Sequence, residues 1–167
     1  MPLRRLIVLS GLVLVAVTAI SPAAALAAAK GTGRPLKGTS TGSLTASLVT
    51  GAATSSFTGN LSHLGAITGG DIATFTATGP AAFTYTGTDT LVAANGDELF
   101  STFTGSGAFT SATTAESTQV NTITGGTGRF TDASGFFTVT VSSVIVSISA
   151  TSETTDNTDT YNGQISY

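Results

Sequence analysis

The sequence predicts an all-β fold. Eight antiparallel strands close into an up-and-down barrel or, as the alternative, pack as a two-sheet β-sandwich. Three observations carry this. From residue 43 onward, apolar residues alternate with threonine and serine at a period of two. No apolar set recurs at the three-to-four spacing of a helix. Gly, Pro, Asn or Asp falls at most junctions between runs. One-sided strands must be covered by closure or by a second sheet, and long consecutive strands with short turns suit a barrel, which has no edges.

The N-terminus reads as a secretory signal peptide over residues 1–29. Arg4 and Arg5 supply the positive start, and residues 6–20 are apolar but interrupted by Ser10, Gly11 and Thr18. Pro22 follows, and both Ala25-Leu26-Ala27 and Ala27-Ala28-Ala29 fit the small-x-small cleavage rule. The apolar run is short for a membrane span. No cysteine follows it to carry a lipid. Residues 30–42, rich in Gly, Ser, Thr and Lys and containing Pro35, read as a flexible linker. Residues 43–167 form the single domain.

Strands are expected near residues 43–50, 57–68, 72–78, 82–93, 98–109, 116–124, 136–148 and 155–167. In the fourth, Phe83, Tyr85, Asp89 and Leu91 share one face, and Thr84, Thr86, Thr88 and Thr90 the other. In the fifth, Leu99, Ser101, Phe103 and Phe109 oppose Thr102 and Thr104. A two-residue Asn95-Gly96 loop would mix these faces. A three-residue loop, Asn95-Gly96-Asp97, keeps like with like and sets Leu91 opposite Ser101 and Phe83 opposite Phe109. Ala73, Phe75 and Ala77 alternate with threonines in the same way. After Phe137, Val139 and Val141 the apolar phase moves to Val144, Val146 and Ile148, which predicts a β-bulge at Ser142-Ser143. Tyr161, Ile165 and Tyr167 alternate in the last strand.

Charge is scarce, at 9% of residues. Beyond residue 29, four basic against nine acidic side chains leave a net charge of about −5. Three of the four basics lie at or before Lys37. Without a basic patch there is no footprint for nucleic acid, and after signal cleavage no membrane partner is expected. With no cysteine, disulfides, Cys-ligated metals and Cys nucleophiles are excluded.

Candidate site residues divide between chemical and architectural readings. Asp89 lies on the face of Phe83, Tyr85, Leu91 and Phe103. Buried there, it would hold its proton to unusually high pH, as a general acid or a ligand-orienting group requires. The alternative is a carboxylate at a barrel end, solvated or bonded to Ser101. Tyr85 and Tyr161 offer hydroxyls to the interior, or are core tyrosines bonded to backbone. His63, the only histidine, is too isolated for a metal site and reads as structural. Arg129 is an anion fork or, more simply, a surface partner of Asp132. Asp156-Asn157-Thr158-Asp159 is a weak calcium candidate or a turn before the last strand. Thr-x-Thr repeats suggest ice or glycan contact, but threonine is also a favourable outward strand residue.

Gly125-Gly126-Thr127-Gly128-Arg129-Phe130, followed by Ala133-Ser134-Gly135, is a glycine-rich turn between two strand runs. It has neither the Lys-Ser/Thr ending nor the helix of a phosphate loop. Its expected role is in folding, with Phe130 plugging the barrel end. This turn resembles the Gly-Gly-Thr-Gly-x-Phe turn of allene-oxide-cyclase and dirigent-like barrels, and in particular their secreted bacterial members. Ser62-His63-Leu64-Gly65, Ala94-Asn95-Gly96-Asp97 and the closing Tyr161-Asn162-Gly163-Gln164-Ile165-Ser166-Tyr167 extend the resemblance over residues 59–167. It implies the eight-stranded barrel rather than the sandwich. It also implies an apolar interior and, by analogy with plant members, cofactor-free steering or cyclisation of small apolar or phenolic molecules. Ala133-Ser134-Gly135 replaces the Ala-Arg-Gly of dirigent proteins, so their arginine has no counterpart here.

The functional expectation is a secreted barrel that binds a small apolar or aromatic ligand, with no cofactor and no metal. The candidate lining residues are Phe75, Phe83, Tyr85, Asp89, Phe103, Phe137 and Tyr161. One alternative is a cofactor-free cyclase or isomerase in which Asp89 pairs with Tyr85 or Tyr161. The other is a structural or cell-surface protein with a threonine-rich exterior. The oligomeric state is not specified by the sequence.

Overall fold

The computed structural model describes residues 33–167. The expected signal peptide and the first residues of the expected linker lie outside the described residues. Eight strands run β1 Arg34–Ser47, β2 Ala52–Leu61, β3 Gly65–Ala77, β4 Ala82–Val92, β5 Glu98–Phe109, β6 Thr114–Gly126, β7 Ser134–Ile148 and β8 Ser152–Ser166. Each pairs antiparallel with its neighbour in sequence, and β1 closes on β8. The fold is the closed up-and-down barrel, so no second sheet is needed. One 3-10 turn, Gly128–Phe130, interrupts the strand order between β6 and β7.

Along the strands, three sequence expectations of element bounds and phase are corrected first. Residues 34–42 of the expected linker belong to β1, paired with β2 from Gly38↔Leu61 and with β8 from Arg34↔Ile165. Its Gly, Ser and Thr residues suit a barrel wall whose inward positions are small, which is why composition misread it. The expected strand at 57–68 is split: the chain reverses at residues 62–64, with His63 at φ 69, and β3 begins at Gly65. The bulge expected at Ser142-Ser143 is absent. β7 keeps its inward phase through Val141, Ser143 and Ile145, and the register shifts only between Ile145 and Ser147. Val144 and Val146 consequently point outward, 51% and 54% exposed, while Ile148, past the shift and paired with Glu153, is exposed at the rim of the open end.

The β4–β5 hairpin keeps the expected faces but a different register. Ala93 N–H donates to the Asp97 carbonyl, so the three loop residues are Ala94, Asn95 and Gly96. Gly96 takes φ +87, and a side chain is disfavoured there. Putting glycine at the third loop position moves every pair by two. Leu91 faces Leu99, Asp89 faces Ser101, Thr86 faces Thr104 and Phe83 faces Gly107. The shift is even, so the threonines stay outside and the aromatics inside.

A second rule is visible in the registers. Inward aromatics sit directly across from glycine: Phe57 from Gly42 and Gly69, Phe83 from Gly107, Tyr85 from Gly105, Phe103 from Gly87, and Phe137 from Gly163. A Cβ on Gly105 would lie 2.3 Å from the Tyr85 ring, and one on Gly87 would lie 2.5 Å from the Phe103 ring. The missing side chains provide the space in which these rings lie flat against the neighbouring strand.

The two barrel ends differ. At the end carrying the β2–β3, β4–β5 and β6–β7 connections, Leu36, Leu64, Leu91, Leu99, Phe130 and Ile165 are fully buried in one apolar cluster. Phe130, delivered by the glycine turn, packs edge-on against Tyr167 with ring centroids 5.0 Å apart. Arg129 covers it from outside, its guanidinium carbon 4.6 Å from the Phe130 centroid. Arg129 pairs with Asp97 at 3.8 Å and donates to the His63 carbonyl at 2.8 Å, which replaces the expected partner Asp132. The Asn95 amide and the Arg129 backbone N–H hold the Asp97 carboxyl below its usual range. The opposite end is formed by the β1–β2, β3–β4, β5–β6 and β7–β8 turns, and it is open.

Candidate functional site

A cavity of about 510 Å³ enters the barrel from the open end. Its upper wall is aromatic. Phe75 and Tyr85, a cross-strand pair of β3 and β4, stack with centroids 4.8 Å apart and planes at 19°. Phe83 contacts both, and Phe109 extends the ladder to the mouth at 5.6 Å from Phe83. Phe103 meets the edge of Tyr85 at 6.0 Å. These rings alternate with threonine, so the pleat turns all of them to the same face.

Deeper in, the lining becomes polar. Asp71 on β3 and Asp89 on β4 are direct cross-strand partners on the inward face. Asp159 on β8 also lines the cavity. Ser40 Oγ donates to Asp159 Oδ2 at 2.7 Å and lies 3.1 Å from the Tyr161 hydroxyl. The Tyr85 hydroxyl and Ser117 Oγ form a hydrogen bond at 3.0 Å, which either hydroxyl can donate. Ser101 Oγ lies 3.2 Å from Asp89 Oδ2 and 3.2 Å from Asn121 Oδ1.

Ser101 has one proton, so it cannot donate to both acceptors. Ionised, Asp89 competes with Asn121 for that proton; protonated, it would itself donate to Ser101 and leave the Ser101 proton to Asn121. The electrostatics favour the protonated form. Burial, with the charge of Asp71 added, pushes the Asp89 carboxyl up to about 8. Burial raises Asp159 to about 6 against the softening bond from Ser40, and it raises Asp71 as well. Tyr85 is pushed up to about 12 by burial, and Tyr161 is raised by burial and then by Asp159. Burial disfavours the charged form of an acid, and neighbouring anions add to the effect. Asp71 Oδ1, Asp89 Oδ1 and Asn121 Nδ2 are buried without a hydrogen-bond partner.

Of the residues expected to line the site, Phe75, Phe83, Tyr85, Asp89, Phe103 and Tyr161 do so. Phe137 does not. It lies in the apolar cluster of the closed half, fully buried across from Gly163 and 5.9 Å from Tyr161. The expected pairing of Asp89 with a tyrosine is not formed: Asp89 bonds Ser101, and the tyrosine–acid link runs instead from Tyr161 through Ser40 to Asp159. Asp156 to Asp159 is neither a turn nor a calcium loop. It lies within β8, with Asp156 outside and Asp159 inside. Among the described residues no group of three acidic or histidine side chains is placed to hold a metal ion. The side chain of His63 is exposed at the closed end.

At the level of sequence, Asp71 is not placed in the site, and Asp159 is taken only as part of a calcium loop or turn. Their signal was available. Asp71 sits two residues from Ala73 and four from Phe75, and Asp159 two residues from Tyr161, so each shares its neighbour's face. The Gly-Gly before Asp71 and the Asp-Asn cluster around Asp159 resembled turns and hid that parity. Compared with known protein families, with curated proteins and with solved structures, the chain matches none.

Proposed function

We propose that the protein is a secreted binding barrel that takes one small, largely aromatic or apolar molecule through its open end. The cavity carries this reading. Its volume of about 510 Å³ falls within the roughly 300–1,000 Å³ of small-molecule pockets. A few polar groups lie below an aromatic wall, the arrangement that gives a ligand both contact area and orientation. The glycine turn and its resemblance to allene-oxide-cyclase and dirigent-like barrels support the same reading, and the N-terminal segment supports export.

N-phenyl-1-naphthylamine, a neutral aromatic probe that fluoresces in apolar surroundings, tests the proposal. The wild-type protein should bind one equivalent at micromolar concentration. Ala73→Trp should abolish binding, because Ala73 lines the cavity and a Trp ring there fills it. Native mass spectrometry of protein purified from its own host should show a retained small molecule. If the probe does not bind and only the bare polypeptide mass is found, the binding-barrel reading is wrong.

A further inference from the structure

We propose that the natural ligand is an organic cation. Its ammonium or guanidinium group sits among Asp71, Asp89 and Asp159, and its apolar part lies against Phe75, Phe83 and Tyr85. The inference rests on the cavity being a ligand site and says which class of ligand it takes.

Two acids set directly opposite on neighbouring strands are destabilising, and β3 and β4 place Asp71 and Asp89 in that position on the inward face. Alternation offers many neutral residues for this face, and the chain uses serine, alanine and glycine at comparable positions such as Ser101, Ala73 and Gly87. Asp159 adds a third carboxyl to the same cavity. Serine hydroxyls bond Asp89 and Asp159, but among the described residues no cationic side chain reaches any of the three. The cations among the described residues are Arg34, Lys37 and Arg129, and all three are exposed on the barrel exterior toward its closed end. A buried acid without a partner is costly, and a buried acid pair more so.

The free atoms point the same way. Asp89 is only 5% exposed, lines the cavity, and has Oδ1 without a partner. Asp71 Oδ1 is likewise unpartnered. Beside a cation these carboxyls give up their protons, and an ionised carboxylate only accepts, so the complementary ligand group donates several N–H bonds and carries positive charge. A bare metal ion is a poor fit. Calcium needs six to eight oxygens at about 2.3–2.6 Å, and these carboxyls do not converge in that way. The rings above add a face for the cation's substituents and for cation–π attraction. Asp71 and Phe75, like Asp89 and Tyr85, are four residues apart on one strand, about 13 Å along the wall. A ligand with one charged end and one aromatic end a few bonds away spans that distance.

The test uses three isosteres on the same protein: 4-phenylbutylammonium, 4-phenylbutanol and 4-phenylbutanoate, titrated by calorimetry. The ammonium should bind at least ten-fold tighter than the alcohol, and the carboxylate should not bind. The titrating groups facing the cavity are Asp71, Asp89, Asp159, Glu153 near the mouth, and the two tyrosines. Ammonium affinity should therefore rise between pH 5 and pH 9 as the carboxyls ionise, while alcohol affinity stays flat. Asp89→Asn and Asp71→Asn should each weaken the ammonium ten-fold or more and so remove its advantage over the alcohol. Asparagine keeps the shape of aspartate, and an unchanged far-ultraviolet circular dichroism spectrum reports that the fold is intact. If the alcohol binds as well as the ammonium, the cavity remains a ligand site and the cation assignment fails. If none of the three binds at millimolar concentration while N-phenyl-1-naphthylamine does, the cation assignment fails alone; if the naphthylamine also fails to bind and no retained molecule is found, the binding-barrel reading fails with it.

Discussion

Asp89 is a carboxyl held in a wall of rings and small side chains, and its raised affinity for a proton has a consequence for stability. Burial lifts it from 3.8 in the open chain to about 8 in the fold. Between those values the native state binds a proton that the unfolded state has released. Stability therefore falls as pH rises through this window, and the full contribution is present only below about pH 4. Asp159, raised to about 6, adds to the slope over the lower part of the window. The protein should melt higher at pH 4 than at pH 8, by on the order of 10 °C for a few kcal/mol of linkage. Asp89→Asn removes the group that titrates and keeps its shape, so it should flatten most of the slope and raise the melting temperature at pH 8. Differential scanning calorimetry from pH 4 to pH 9 decides this. A melting temperature that climbs with pH, or an asparagine variant with an unchanged slope, would place Asp89 in contact with bulk water.

Strand by strand, the barrel is governed by parity, and parity is what the sequence exposes. Tyr85, Asp89 and Leu91 are buried and Thr84, Thr86 and Thr88 are exposed, as the alternation implies. What alternation does not carry is the position of a reversal. Ser62-His63-Leu64 turns the chain without the Pro, Asn or Asp that usually mark a turn, and the Gly-Gly that does mark one, Gly69-Gly70, lies inside β3, where Gly69 makes room for the Phe57 ring. Glycine serves two purposes here, turning the chain and accommodating rings, and local composition does not separate them. The second purpose can be tested. A Cβ at Gly105 would lie 2.3–2.7 Å from three atoms of the Tyr85 ring, which is held by its stack on Phe75 and by Ser117. Gly105→Ala should cost about 1–3 kcal/mol, the usual range for forcing a methyl into a packed site. At Gly79, in the β3–β4 turn, a Cβ would meet only Ala82 Cβ at 3.7 Å. Gly79→Ala should be neutral or slightly stabilising through the unfolded chain. Urea denaturation of the pair checks the contrast, and equal midpoints would mean that the ring across from Gly105 is free to move aside.

For the whole molecule, the decisive contact is the closure of β1 on β8. It joins parts of the chain more than a hundred residues apart, as in the bond from Ser40 to Asp159 across 119 positions. Such pairing is slow to form, because the loop entropy is lost before the contacts that offset it exist. The strand that makes the closure begins at Arg34, in a segment whose Gly, Ser, Thr and Pro content resembles a tether. Leu36 within it is fully buried in the closed-end cluster, and Ser40 is buried against Asp159. Removing residues 33–42 would strip the pairing from the closed-end halves of β2 and β8, expose two strand edges, and open the apolar cluster beneath Leu36. Exposed edges of this kind pair with other chains. A chain beginning at Ser43 should therefore lose its cooperative melt and elute as aggregates or dimers in size-exclusion chromatography, whereas a chain beginning at Gly33 should melt as the longer protein does. If the chain beginning at Ser43 stays monomeric and melts within a few degrees of the longer form, the barrel does not depend on the first half of β1, and that segment is a tether after all.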